Sequence, residues 1–383
     1  MWAAAAAVVL ALAGLLAVVL WQSSKDKPPT EEEMNQVVVT CGAFTLTNTE
    51  LNYYYWSEYF YLLGTGGDAL SGTLDTSVPL DQQMYDETRT WQDYVLDRTL
   101  DTVEATMSMA FAAEEAGFEM PDDYAQTLQR VLDGFAEKAE TAGYLDASGE
   151  GDTLAYLAAS YGPGVTMDSF ERYLRYSHLA AAYSDELYGS PVFTEEEISD
   201  YYDLYGGEYT DEGVTKDSEK LRTLRVVLVA PSADNDAAWA EAKTSAETLY
   251  ATWQAESGTE DDFSAMAAAH SADVHTSGQG GLLSEVRRED LTGELADWAF
   301  DQARESGDTA VVRSDEGWVV AYFVEESDQA YWQRVAEADL RQQTYKDAER
   351  AIRDRYDFQE NLDAVRIATP QGLYGEESLT NGD

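Results

Sequence analysis

Few of the 383 side chains could make or break bonds, and their spacing limits the chemistry open to them. The chain has three histidines and one cysteine. His270 and His275 flank Asp273, which suggests a metal site, but a tetrahedral site needs further protein ligands and none is near in sequence. His270 is expected to pack and His275 to sit in a loop. Asp75-Thr76-Ser77 is the triplet used by paired-carboxylate hydrolases. That chemistry needs a second carboxylate and a β fold around it, so a loop between helices is expected. Asp146 to Leu157 begins like a calcium loop with Gly151 in place, but Leu157 stands where a bidentate glutamate is required. Specific calcium binding is not expected there. His178 reads as a satisfied helix histidine. Cys41, alone, excludes an intramolecular disulfide, a Cys-based zinc cluster and a CxxC motif, and its distance from the apolar N-terminal run argues against a lipid anchor. No metal and no cofactor are expected.

Composition narrows the partners. Against 73 Asp and Glu stand 24 Lys and Arg, a formal charge of −49. Such a surface repels phosphate backbones and anionic headgroups, so no nucleic acid is expected as a partner. The charged fraction is an ordinary 25%, and 44% of residues are hydrophobic, with 9 Trp, 25 Tyr and 11 Phe, enough for a large core in two or three domains.

The elements that must position these residues begin with Trp2 to Trp21, an apolar run about 30 Å long as a helix with a Trp at each end. It matches a bilayer core and lacks the short apolar region and A-x-A-like exit of a cleaved signal peptide. Residues 1–22 are therefore expected to be a transmembrane anchor and 23–35 a solvated linker with Pro28 and Pro29. Lys25 and Lys27 alone would favour a cytoplasmic body, but long domains translocate largely regardless of charge.

Val37 to Leu46 reads as two short strands about a Gly42 turn. Thr47 and Glu50 form a capping box for a helix with Leu51, Tyr54, Tyr55, Tyr59 and Leu62 on one face. Its run Tyr53, Tyr54, Tyr55, Trp56, Tyr59, Phe60 and Tyr61 is too dense for one face. Either half of these rings are buried and half lie on the surface, or they form a rigid aromatic surface for unfolded polypeptide. After a loop from Gly64 to Pro79, helices are expected at Met84–Ala116, Pro121–Gly143, Thr153–Tyr161, Met167–Tyr188 and from the Thr194–Glu197 cap to Tyr205. A Gly/Asp-rich hinge, 206–217, follows. Leu221–Ala230 is a strand, Asp236–Glu256 and Phe263–Ala269 are helices, Asp273–Leu283 is a Gly-rich loop and Leu291–Gln302 is a helix. Ala310–Val312 and Trp318–Val324 form a strand pair, and Gln329–Arg355 is a last long helix. The order β-α-α-α-β-β implies a small α+β domain beside a mainly helical one.

Residues 219–327 resemble a parvulin-type (PpiC, rotamase) peptidyl-prolyl cis-trans isomerase domain. The matching landmarks are LRVVLV, FSAMAAAHSAD (Phe263–Asp273), GGLL (Gly280–Leu283), LTGELADWAF (Leu291–Phe300) and GWVVAYF (Gly317–Phe323). The preceding CGAFTLTNTELNYYYW and FTEEEISDYY resemble the N-terminal arm of SurA-like and PrsA-like extracytoplasmic foldases. The resemblance implies a helical chaperone domain at 36–215, the inserted parvulin-like domain at 219–327, a C-terminal helix at 328–360 returning to the helical domain, and a tail at 361–383.

It also implies a site. The substrate pocket wall falls on Leu291, Thr292 and Leu295, with leucines where Met and Phe are usual. Asp273 stands at the polar loop position and Ser314 at a hydroxyl position, the two catalytic candidates. The two family histidines fall on Val226 and Val319. Loss of one buried imidazole would strand its partner at about 1–3 kcal/mol, whereas replacing both by apolar residues can be nearly neutral. Reduced or absent isomerase activity is the expectation, with an active isomerase and a non-chaperone envelope scaffold as the alternatives. The expected function is that of a membrane-anchored, single-pass folding factor with its body outside the cytoplasm, acting on unfolded or proline-containing secreted polypeptides.

Overall fold

The computed structural model describes residues 28–65, 73–256 and 258–374. The expected anchor at Trp2–Trp21, the first residues of its linker (23–27) and the last residues of the tail lie outside them. Among the described residues no helix is long and apolar enough to cross a membrane. The chain divides into two compact units, Met1–Pro191 with Thr344–Asp383, and Val192–Gln343.

In the first unit, a one-turn helix α1 (Glu31–Met34) precedes the hairpin of β1 (Val37–Cys41) and β2 (Phe44–Thr47). Gly42 turns it at φ +57°, a conformation L side chains rarely adopt. Helix α2 (Asn48–Thr65) starts at the expected box: the Glu50 carboxylate accepts from the Thr47 amide at 3.0 Å, and the Glu50 amide donates to the Thr47 hydroxyl at 3.4 Å. The aromatic run on α2 is not a surface, nor is it half exposed. Residues 51–59 are all buried, with Tyr53 and Tyr55 at 0% exposure, and only Phe60 and Tyr61 reach partial exposure. Other elements surround the helix: α3 (Trp91–Ala116), α5 (Thr153–Tyr161) and α6 (Met167–Gly189) pack on it, and α4 (Tyr124–Thr141) packs on α5. A helix enclosed on all sides needs apolar rings in every direction.

Helix α3 starts at Trp91 rather than Met84. Asp86 accepts from the Thr88 and Arg89 amides, closing a turn, and Thr90 with Asp93 forms a capping box that sets the true start. Asp75 and Asp146 organise turns: the Ser77 amide and hydroxyl donate to Asp75, and the Ser148 amide and hydroxyl to Asp146. Leu157 is a 0%-exposed core residue, and the His178 ring is bonded to the Leu174 carbonyl at 2.8 Å. Cys41 is half-buried. A short strand β7 (Gln359–Glu360) pairs with β1 to give the sheet order β2-β1-β7.

Part of residues 361–374, expected as tail, is packed. Ile367 and Leu373 join the aromatic core, and Ala368 is 3% exposed.

In the second unit, α7 (Glu195–Leu204) keeps its Thr194–Glu197 box. The expected hinge contains a helix, α8 (Gly206–Asp211), anchored by buried Tyr209, whose hydroxyl donates to Asp339 at 2.8 Å. Residues 192–215, expected with the helical domain, group with this unit. Its four-stranded antiparallel sheet has the order β4-β3-β6-β5, from β3 (Lys220–Val229), β4 (Leu282–Val286), β5 (Thr309–Arg313) and β6 (Trp318–Ala330). Strand β4 begins in the last two residues of the expected 273–283 loop and was not anticipated, so the order is β-α-α-β-α-β-β. Helices α9 (Asp236–Glu256) and α10 (Glu260–His270) contribute Trp253, Phe263 and Ala267 to the core on one face, with Val227 and Val320; α11 (Glu294–Ala299) covers the other face. Helix α12 (Tyr331–Arg353) begins in this unit and ends in the first.

Phe170, 1% exposed, meets the rings of Tyr53 and Phe135 with centroids 5.4 and 5.1 Å away. Phe170→Ala is expected to lower stability by about 3–5 kcal/mol in equilibrium urea unfolding; a loss below about 1 kcal/mol would contradict this account of the core.

Candidate functional site

Strand alternation decides what the site contains. On β3, Leu224 and Val226 face the α11 side while Val227 and Val229 face α9 and α10; on β6, Val319, Ala321 and Phe323 face the α11 side. The two strands pair directly, with Val226 opposite Ala321 and Leu228 opposite Val319. Val226 and Val319, at 4% and 3% exposure, therefore lie in one apolar cluster, and Leu291 and Leu295, at 8% and 5%, close it from above. The remaining members are Leu224, Ala299, Phe300, Val312, Ala321 and Phe323, none of them ionisable.

The polar candidates lie in loops beside this cluster. Ser271 to Gly281 is tied to β3: the Ala272 amide donates to the Leu228 carbonyl at 2.8 Å, and the Leu228 amide to the Ser271 hydroxyl at 3.1 Å. The Val226 amide donates to the Gly281 carbonyl at 2.8 Å, and a Cβ at Gly281 would lie 2.2 Å from the Val226 carbonyl oxygen, so only glycine lets the loop approach. Within this loop the Asp273 carboxylate accepts from the His275 amide at 3.0 Å and the Thr276 hydroxyl at 2.6 Å. Partial burial works against its charge, but those hydrogen bonds and nearby His275 hold its pKa below the ordinary carboxylate value. His275 is exposed in the loop. His270 does not pack: it is exposed at the end of α10, whose buried face is Phe263 and Ala267.

Ser314 is 6% exposed and donates to the Gly317 carbonyl at 3.1 Å while accepting from the Glu316 amide at 3.3 Å, which shapes the β5–β6 turn. Thr292 is exposed and accepts from the Asp315 amide at 3.3 Å, linking that turn to the start of α11. The structure thus brings Val226, Val319, Leu291 and Leu295 together, joins Thr292 to the Ser314 turn, and gives Asp273 a role within its own loop. Sequence reasoning did not single out Arg222. This 6%-exposed cation on β3 pairs with Glu326 and lies 5.4 and 5.8 Å from the Phe300 and Phe323 ring centroids. A basic residue two positions before the apolar Leu224, on the same face, was the available signal.

The family model of the Rotamase, PPIC-type PPIASE domain matches residues 227–325. No curated protein matches the chain. Solved structures similar to it include the peptidylprolyl isomerase PrsA from Bacillus anthracis, at 13% identity over 67% of this chain and 95% of that one, with a TM-score of 0.24. PrsA from Bacillus subtilis is 14% identical over 70% and 85%, with a TM-score of 0.28. A structure reported for SurA-like chaperones of Campylobacter jejuni is 15% identical over 82% and 94%, with a TM-score of 0.23. Nothing about activity follows from likenesses of that size. The matched residues carry the parvulin-type landmarks of the sequence from the end of LRVVLV onward.

Because the folded-state pKa of Asp273 is depressed, its ionisation stabilises the fold above the unfolded-state value of about 4 and that contribution is lost as pH falls through the folded value. Asp273→Asn is therefore expected to lower the urea midpoint at neutral pH and to differ progressively less from the parent below about pH 4. A midpoint difference that stays constant across that range would contradict the role assigned to the charge.

Proposed function

We propose that the chain is a membrane-anchored, extracytoplasmic foldase or holdase for unfolded, proline-containing secreted polypeptides, whose PPIC-type domain has reduced isomerase activity. What supports this reading is a PPIC-type match beside an apolar cluster that holds Val226 and Val319, the two positions to which the resemblance assigns the family's histidines. Prolyl isomerisation must lower a barrier of about 18–20 kcal/mol set by amide resonance, and an enzyme does so by binding the twisted imide better than the planar one. Polar groups aimed at the twisting bond provide that difference. Here Asp273 and Ser314 direct their oxygens to their own loops, which leaves chiefly an apolar wall formed by Leu291 and Leu295. Such a wall favours binding both imide geometries alike, which serves holding more than rate.

The anchor rests on the apolar run Trp2–Trp21, and the placement of the body outside the cytoplasm on the foldase resemblance. The formal charge of −49 suits a highly solvated body that binds sticky chains without co-aggregating. A second reading, an active isomerase, draws support from the retained Leu291 and Leu295 wall, since the reaction needs neither nucleophile nor metal. Clients denatured in urea and diluted into buffer test the holding role. The chain is expected to suppress their light scattering at several-fold molar excess, and scattering unchanged at that excess would count decisively against it.

A further inference from the structure

Helix α2 carries polar side chains at a four-residue spacing, Asn48, Asn52 and Trp56, in a buried setting. All three aim polar atoms at residues 364–368 of the same unit, where the chain leaves the 3-10 turn Leu362–Ala364 and extends at Val365. Asn48 Nδ2 donates to the Ala364 carbonyl at 2.8 Å, and its Oδ1 accepts from the Arg366 amide at 2.8 Å. Asn52 repeats the pattern two residues on, donating to the Arg366 carbonyl at 2.9 Å and accepting from the Ala368 amide at 2.8 Å. Trp56 Nε1 completes the ladder on the Ala368 carbonyl at 2.8 Å. Four helical residues advance about 6 Å and two extended residues about 6.6 Å, so positions 48, 52 and 56 stay in register with 364, 366 and 368. Every bond goes to backbone, which makes the ladder indifferent to sequence, like the edge of a sheet.

Two further contacts add selectivity. A Cβ at Gly162 would lie 2.4 Å from the Ala368 Cβ, so the segment is pressed against bare backbone and only a small residue fits. Two residues later, buried Pro370 lines an aromatic crevice formed with Trp56, Phe60, Phe135, Tyr156 and Tyr161.

We propose that this slot is a binding site for extended polypeptide with a small-X-Pro pattern, and that residues 364–370 are its internal occupant, displaced when a client segment takes their place. The proposal rests on the reading of the chain as a holder of unfolded polypeptide, and adds the place, the pattern and the competitor. A tethered occupant competes at an effective concentration in the millimolar range, so the parent chain should take up free peptide poorly.

The test uses the full chain, its Ala368→Glu variant, whose side chain cannot be seated against Gly162, and a labelled peptide of residues 362–374. The variant is expected to bind the peptide about a hundredfold or more tighter than the parent does. An unrelated extended peptide with a small-X-Pro pattern should bind the variant as well, whereas the 362–374 peptide carrying the same Ala-to-Glu change should not. A folded variant that binds neither would overturn the proposal. Should the variant unfold, hydrogen exchange of the parent decides. Arg366 and Ala368 amides exchanging by local opening, ahead of the β1 amides, support a displaceable occupant; exchange only with global unfolding refutes it. Aggregation suppression without peptide uptake removes the slot alone, and uptake without suppression removes the wider reading.

Discussion

The first unit depends on the enclosure of α2 from Asn48 to Tyr59. Over that stretch its polar groups are cut off from water, and each one stranded would cost about 1–3 kcal/mol; the Tyr55 and Tyr59 hydroxyls are left so, but the carboxylates and side-chain amides are met. Glu50 accepts from Arg172 of α6 at 2.6 Å, Glu58 pairs with Arg98 of α3, and Thr49 donates to the Met34 carbonyl at 3.2 Å. Asn48 and Asn52 are satisfied by residues more than three hundred positions away. In this structure α3, α6 and the C-terminal segment are gathered around one helix, and the rings of Tyr53, Tyr55 and Trp56 fill the space between them.

The second unit is governed by a different constraint, the twofold alternation of β3 and β6 between two covered faces. Because both faces are buried, the strands read as near-continuous apolar runs, and substitution at a single register position changes what one face can do. Valine at 226 and 319 makes that part of the α11 face apolar, while Arg222, on the same face of β3, pairs with Glu326 and lies near two phenylalanine rings. The polar candidates are set at the margins, where Asp273 and Ser314 stabilise loops.

Most element positions were legible because capping boxes and periodicity survive in the sequence, as at Thr47, Thr194 and Asp236–Glu256. The misreadings have separate physical causes. Strand β4 follows Gly280-Gly281 and is only partly buried, with a register shift against β3, so neither composition nor alternation marks it. The short α8 begins with two glycines and owes its place to Tyr209 packing among Ile198, Tyr202 and Ala336. For the Tyr53–Tyr61 run, periodicity could not tell a half-exposed helix from one enclosed by distant segments. Asn48 and Asn52 amid that run were the clue that something polar lay alongside, but its identity depended on tertiary structure. At the site, the resemblance named Leu291, Leu295, Val226 and Val319, which the structure gathers into one apolar cluster, whereas the use of Asp273 and Ser314 within their own loops depended on tertiary structure.

The proposed reading turns on a PPIC-type domain that binds through an apolar wall with little catalytic power. Relaxation of the cis and trans forms of a proline peptide, followed at increasing concentrations of the full chain, tests it most directly. The account predicts a rate constant that stays near the uncatalysed value at concentrations that hold a client in solution. A rate rising in proportion to added protein, well above that of an inert protein at equal concentration, would contradict it.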